Sequence, residues 1–174
     1  MHRQAQRLQL GQTGNIHGPA HGVNDDVICD TTLQRPQFFY GATKVFDEHM
    51  GLFYKRKYGL DFRCIRYPSV IGPGVSTPGA VQYTSWVIEE YARGNPFTIW
   101  VTPETRMPVM YIDEAAQATV QLAEAPQGRI ETVNYLVDGL KPTPSAGELA
   151  EAVQAKVPGA GELMSPSSLL LDVV

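Results

Sequence analysis

Between Pro36 and Val137 the apolar residues keep changing period, from helical spacing to strand alternation and back, with Gly or Pro at most of the changes. One face of a helix recurs every three or four residues and one face of a strand every two, so this switching specifies alternating helices and strands. Phe39, Ala42, Phe46, Met50 and Phe53 fit a long amphipathic helix from Gln37 to Tyr58, closed by Gly59. Asp61 to Tyr67 alternates as a strand, and Pro68, Gly72, Pro73 and Gly74 turn it into a loop running to Gly79. A second helix is expected over Val81 to Arg93, with Val81, Thr84, Val87, Ile88 and Tyr91 facing inward and Gly94-Asn95-Pro96 as its stop. Short strands follow at Phe97 to Val101 and Met107 to Ile112. A helix N-capped by Asp113 then uses Ala115, Ala118, Thr119 and Leu122 as its buried stripe. Thr132 to Val137 reads as a strand, and Thr143-Pro144 as the first turn of a last helix. The alternation is that of an α/β protein.

On the first helix, Tyr40-Gly-Ala-Thr-Lys44 places a phenol and an ammonium four residues apart, one above the other on one face. A free tyrosine titrates at about pH 10, and a fixed positive charge nearby stabilises the phenolate, so such a pair can act as one acid/base unit. With 8 tyrosines in the chain the spacing is easily met by chance, and a buried aromatic beside a solvated lysine is the plain alternative. The surroundings have to decide.

At 174 residues and 43% hydrophobic, the chain has material for one domain. A net charge of -4, with no Lys/Arg cluster, argues against nucleic acid as a partner. Cys29 and Cys64 support neither a disulfide framework nor a cysteine-rich zinc site, and no metal is expected. No apolar run approaches the roughly 20 residues that span a bilayer, and no apolar stretch follows the charged amino end, so a soluble cytoplasmic protein is expected. Residues 1–30, rich in Gln, Gly, His and Asp, read as an irregular arm, 31–158 as the folded part, and 159–174 as a tail ending in Leu169-Leu170-Leu171-Asp172-Val173-Val174.

Gln34-Arg35-Pro36, Tyr40 to Lys44, Tyr58 to Pro68 and Arg106 to Asp113, in that order, resemble the extended short-chain dehydrogenase/reductase superfamily, and within it the L-threonine 3-dehydrogenase branch. The resemblance implies a partial Rossmann-type doubly wound sheet, its second half, with a small substrate-binding lobe. It also implies an NAD cofactor and a small-molecule hydroxy substrate, with Tyr40 taking the hydroxyl proton while hydride passes to the nicotinamide. Lys44 would contact the nicotinamide ribose and assist the tyrosine. Tyr67-Pro68-Ser69-Val70 matches the segment whose backbone touches the nicotinamide end. Thr13 corresponds to the hydroxyl residue that holds the substrate oxygen, or is a plain loop threonine. Gly79 and Gln82 fall in the substrate loop. Arg106 either reaches a substrate carboxylate or phosphate, or is an ordinary surface charge.

Three departures qualify the resemblance. Fewer than 40 residues precede Tyr40, and none form the strand, Gly-rich turn and helix that hold the cofactor pyrophosphate, so the NAD site is expected to be incomplete. Gly79-Ala80-Val81-Gln82-Tyr83 replaces two Thr and an Asp of the threonine dehydrogenases, which leaves a sugar-nucleotide epimerase or reductase open. The carboxyl end also stops early, so the chain reads as the carboxyl-terminal half of an enzyme. A half sheet exposes edges and apolar faces, so self-association or a complementing chain is expected. A non-catalytic interaction module that keeps the fold remains the alternative from another class.

Overall fold

The computed structural model describes Gln34, Pro36 and residues 39–76, 78–79, 81–156 and 163–164. The arm over 1–30 with Thr13, residue Ala80, and the tail apart from 163–164 lie outside the described residues. In chain order the elements are α1 (Phe39–Tyr58), β1 (Cys64–Arg66), β2 (Ser69–Ile71), α2 (Tyr83–Ala92), β3 (Phe97–Thr98), β4 (Val109–Tyr111), α3 (Ile112–Glu124), β5 (Asn134–Leu136), α4 (Ala146–Lys156) and β6 (Leu163–Met164), with a 3-10 turn at Gln127–Arg129. The expected α/β alternation is present, and the strands pair in parallel: β1 with β5, β2 with β4 and β3 with β6. Parallel neighbours need long crossovers, here supplied by the helices between them. The chain divides into two compact units, residues 1–68 with 113–138 and residues 69–112 with 139–174.

In the first unit, α1 ends where expected, with Gly59 at φ 68° and its N–H on the Lys55 carbonyl at 3.0 Å. Its orientation differs from the expectation. Phe39, Phe46 and Phe53 are exposed, and the fully buried positions are Gly41, Glu48 and Gly51. The physical reason is close approach and charge pairing: a Cβ on Gly51 would lie 2.2 Å from Phe62 Cζ, and Glu48 meets a buried arginine of β1. Arg63, also buried, closes the carboxyl end of α3, donating through Nη1 to the Leu122 and Ala125 carbonyls at 2.5 and 2.6 Å while its other nitrogens grip Asp61. Those carbonyls have no partner within the helix, so the guanidinium does the work of a cap.

In the second unit, Tyr83, Val87, Ile99 and Ala146 form the core, flanked by Phe97, Trp100, Met107 and Leu149. Four local expectations change along the chain. Ser69–Ile71, expected in a loop, is strand β2, because Val109–Tyr111 supplies its ladder partners. Helix α3 begins at Ile112, so Asp113 sits inside its first turn and is not the N-cap. Helix α4 begins at Ala146 rather than at Pro144; Ser145 caps it, its Oγ accepting from Glu148 N–H at 3.1 Å while Glu148 Oε2 accepts from Ser145 N–H at 2.7 Å. Part of the expected tail, Leu163–Met164, is strand β6. Among the described residues no helix is long and apolar enough to cross a membrane.

Candidate active site

Helix α1 carries Tyr40 and Lys44 one turn apart, as their spacing requires, and Lys44 Nζ lies 5.3 Å from the centre of the Tyr40 ring. Tyr40 is 48% exposed and is not sealed in a core. Thr43 Oγ1 donates to the Tyr40 carbonyl at 2.7 Å.

Glu48 continues the same face, one turn beyond Lys44 and two beyond Tyr40. Its carboxylate is fully buried and receives Arg66 Nε at 3.0 Å, Arg66 Nη2 at 2.8 Å and Asn134 Nδ2 at 3.1 Å, with Gln34 as a further donor. The Cys64 thiol lies 3.7 Å from Glu48 Oε1, and burial, then the Glu48 charge, push its pKa up to about 12. This thiol is therefore neutral and inert in the folded chain. Sequence reasoning missed the cluster, because a helical Glu four residues after a Lys reads as a solvated ion pair.

Arg66 ends β1 and leads directly into Tyr67-Pro68-Ser69-Val70. Tyr67 is half-buried with its hydroxyl on Thr119 Oγ1, and Pro68 is buried. These two close a stretch of the first unit, and Ser69 and Val70 open the second. Ser69 is buried, with its N–H on the Pro108 carbonyl at 2.9 Å and its Oγ on Thr84 Oγ1 at 2.9 Å. Both hydroxyls of this segment are engaged within the fold, so its contribution to a bound molecule is left to backbone and surface. Among the described residues, the left-handed glycines Gly59, Gly74 and Gly94 follow helices or sit in a loop, and none forms a strand-to-helix phosphate turn.

The remaining expected residues lie in the second unit. Gly79 is exposed and its carbonyl accepts from Gln82 N–H at 3.1 Å, just before α2. Arg106 is exposed and its Nη1 meets the Thr143 carbonyl and, at 3.1 Å, Glu148 Oε2, so it braces the start of α4. The Ser145 N–H, then the Arg106 guanidinium, hold the Glu148 carboxyl below its usual range.

The alternation of helices with parallel strands agrees with the class that the sequence resembles. The chain belongs to the NAD dependent epimerase/dehydratase family, whose model matches residues 1–136. It is 39% identical over 154 residues to mitochondrial L-threonine 3-dehydrogenase of Bos taurus, covering 87% of this chain and 40% of that protein. The L-threonine dehydrogenase of Phytophthora infestans has the same fold with a TM-score of 0.79 and 28% identity, over 88% of this chain and 49% of that one. The UDP-glucose 4-epimerase of Thermotoga maritima shares the fold alone, with a TM-score of 0.75 and 20% identity over 96% of this chain and 52% of that one. The chain therefore spans about 40% of the length of the bovine relative.

Proposed function

We propose that this chain supplies the acid/base half of an NAD-dependent dehydrogenase of the L-threonine 3-dehydrogenase type, oxidising a secondary hydroxyl. The carrying observation is the exposed Tyr40 phenol with the Lys44 ammonium over its ring, on a helix of the matched family region. When bound, NAD would accept the hydride. Tyr40 Oη takes the proton of the substrate hydroxyl, and Lys44 offers charge and donors to the phenolate and to the ribose. The backbone of Tyr67 to Val70 borders the nicotinamide. Gly79, Gln82 and Arg106 bind substrate, and Thr13 holds the substrate oxygen.

In this reading residues 31–158 are the catalytic and substrate half of the domain. The exposed Phe39, Phe46 and Phe53, seven residues apart on α1, support self-association.

The test is NADH formation with L-threonine by the purified chain and by its Tyr40→Phe and Lys44→Met variants, alongside thermal shift with NAD. Cofactor-dependent stabilisation and turnover lost in Tyr40→Phe support the reading. Unchanged behaviour of both variants refutes it and selects a non-catalytic interaction module. The altered loop from Gly79 to Gln82 favours one second reading, a sugar-nucleotide epimerase or reductase, which turnover of a UDP-sugar in place of threonine would select.

A further inference from the structure

We infer that the buried Glu48–Arg66 ion pair is a positioning clamp, holding the Tyr40–Lys44 face of α1 at a fixed height and roll on β1 beside the strand end that leads into Tyr67. The inference rests on the dehydrogenase reading for its catalytic consequence, and on geometry alone for the clamp. Helix α1 has no fully buried apolar side chain; its buried positions are two glycines and Glu48. Glycines permit approach without fixing rotation, so the directional bonds to Glu48 set the roll. The bond from Arg66 is two-pronged, through Nε at 3.0 Å and Nη2 at 2.8 Å, which defines both angle and distance. Asn134 of β5 adds a third direction at 3.1 Å. Arg66 immediately precedes Tyr67, so the clamp ties the acid/base helix to the expected nicotinamide segment through one residue.

The arrangement is poorly explained as a device for stability. Both partners are removed from water, at 2% and 1% exposure, and burying an ion pair often gains nothing over apolar residues of similar size. Arg66 Nη1 and Asn134 Oδ1 are also buried without a hydrogen-bond partner, an added cost that an apolar contact would avoid. Directional precision is what the pair supplies in return, and misplacement of reacting groups by about 1 Å lowers rates on the order of 10²-fold.

Spin labels on Lys57→Cys at the end of α1 and Glu131→Cys before β5, in a Cys29→Ser chain, read the placement directly by pulsed electron resonance; the inert Cys64 stays unlabelled. Glu48→Met/Arg66→Met removes the pair without stranding a buried charge, and circular dichroism with urea denaturation reports folding. The expected result is a parent chain with one narrow distance and a folded double variant whose distribution is at least twice as broad. An equally narrow distribution in the folded double variant overturns the clamp, whatever the activity. If the double variant fails to fold, Arg66→Lys, which keeps the charge and loses the two-pronged geometry, is read in the same way. In NADH formation the same variants lower kcat at least tenfold with KM within twofold; broadening with unchanged kcat overturns the catalytic role. Loss of the dehydrogenase reading is seen separately, as turnover unaffected by Tyr40→Phe.

Discussion

Gly51→Ala isolates the contact that lets α1 lie against the first unit, because two effects of opposite sign meet there. Alanine in a helix interior is favoured over glycine by about 1 kcal/mol, so propensity alone makes the variant more stable. The structure reverses that sign. The added Cβ would lie 2.2 Å from Phe62 Cζ and 2.4 Å from both Cε atoms, and Phe62 has 0% exposure, so its ring has no solvent to swing into. Carbon atoms sit at roughly 3.5–4.0 Å when in contact, so helix or ring must move by more than about 1 Å. Overpacking of this kind costs about 1–3 kcal/mol, and overlap with three ring atoms puts this site at the upper end. The net expectation is a loss of about 2 kcal/mol after the propensity gain is offset. Urea denaturation of parent and variant measures it, with Gly128→Ala, where a Cβ meets nothing within 4 Å, as the near-neutral control. Adding Phe62→Leu should recover at least half of the loss, giving a favourable coupling in the double-mutant cycle. A Gly51→Ala chain as stable as the parent, or more so, refutes the close approach of α1 to Phe62.

Cys64 predicts a loss of stability in alkali. Its folded pKa of about 12 lies above the ordinary 9.0, so the unfolded chain releases the proton first and stability, complete below pH 9, falls as pH rises toward 12. The slope approaches about 1.4 kcal/mol per pH unit, and Cys64→Ala, followed by urea denaturation at pH 8 and 10, should flatten it. In a Cys29→Ser chain the Cys64 thiol should react with a disulfide reagent only at the rate of unfolding; immediate reaction at pH 8 contradicts its burial. Ser145→Ala removes the cap of α4 and should cost about 1 kcal/mol in thermal or urea denaturation, with no change from Ser145→Asp. Phe46→Ser should shift sedimentation toward monomer, and an unaltered sedimentation profile rules out association through the exposed stripe of α1.

The parts of this chain legible in its sequence are those whose physics is local. The Tyr40–Lys44 pair depends on one turn of helix, and the spacing alone places the ammonium over the ring. Gly59 ends α1 for an equally local reason, since its φ of 68° suits a residue without a side chain. The buried face of α1 was not legible, because periodicity assigns the apolar side inward. Here Gly51 faces inward because of Phe62, eleven residues on, and Glu48 because of Arg66, eighteen residues on. Strand β2 was hidden between Pro68 and Gly72, two residues that read as loop, until Val109 to Tyr111, forty residues later, gave it a ladder. A charged residue is the hardest case, since nothing in its own neighbourhood says whether it will be solvated or clamped. Glu48 carries the same local signal as any surface glutamate one turn after a lysine, and only the partner from β1 turns it into the pivot on which the orientation of Tyr40 depends.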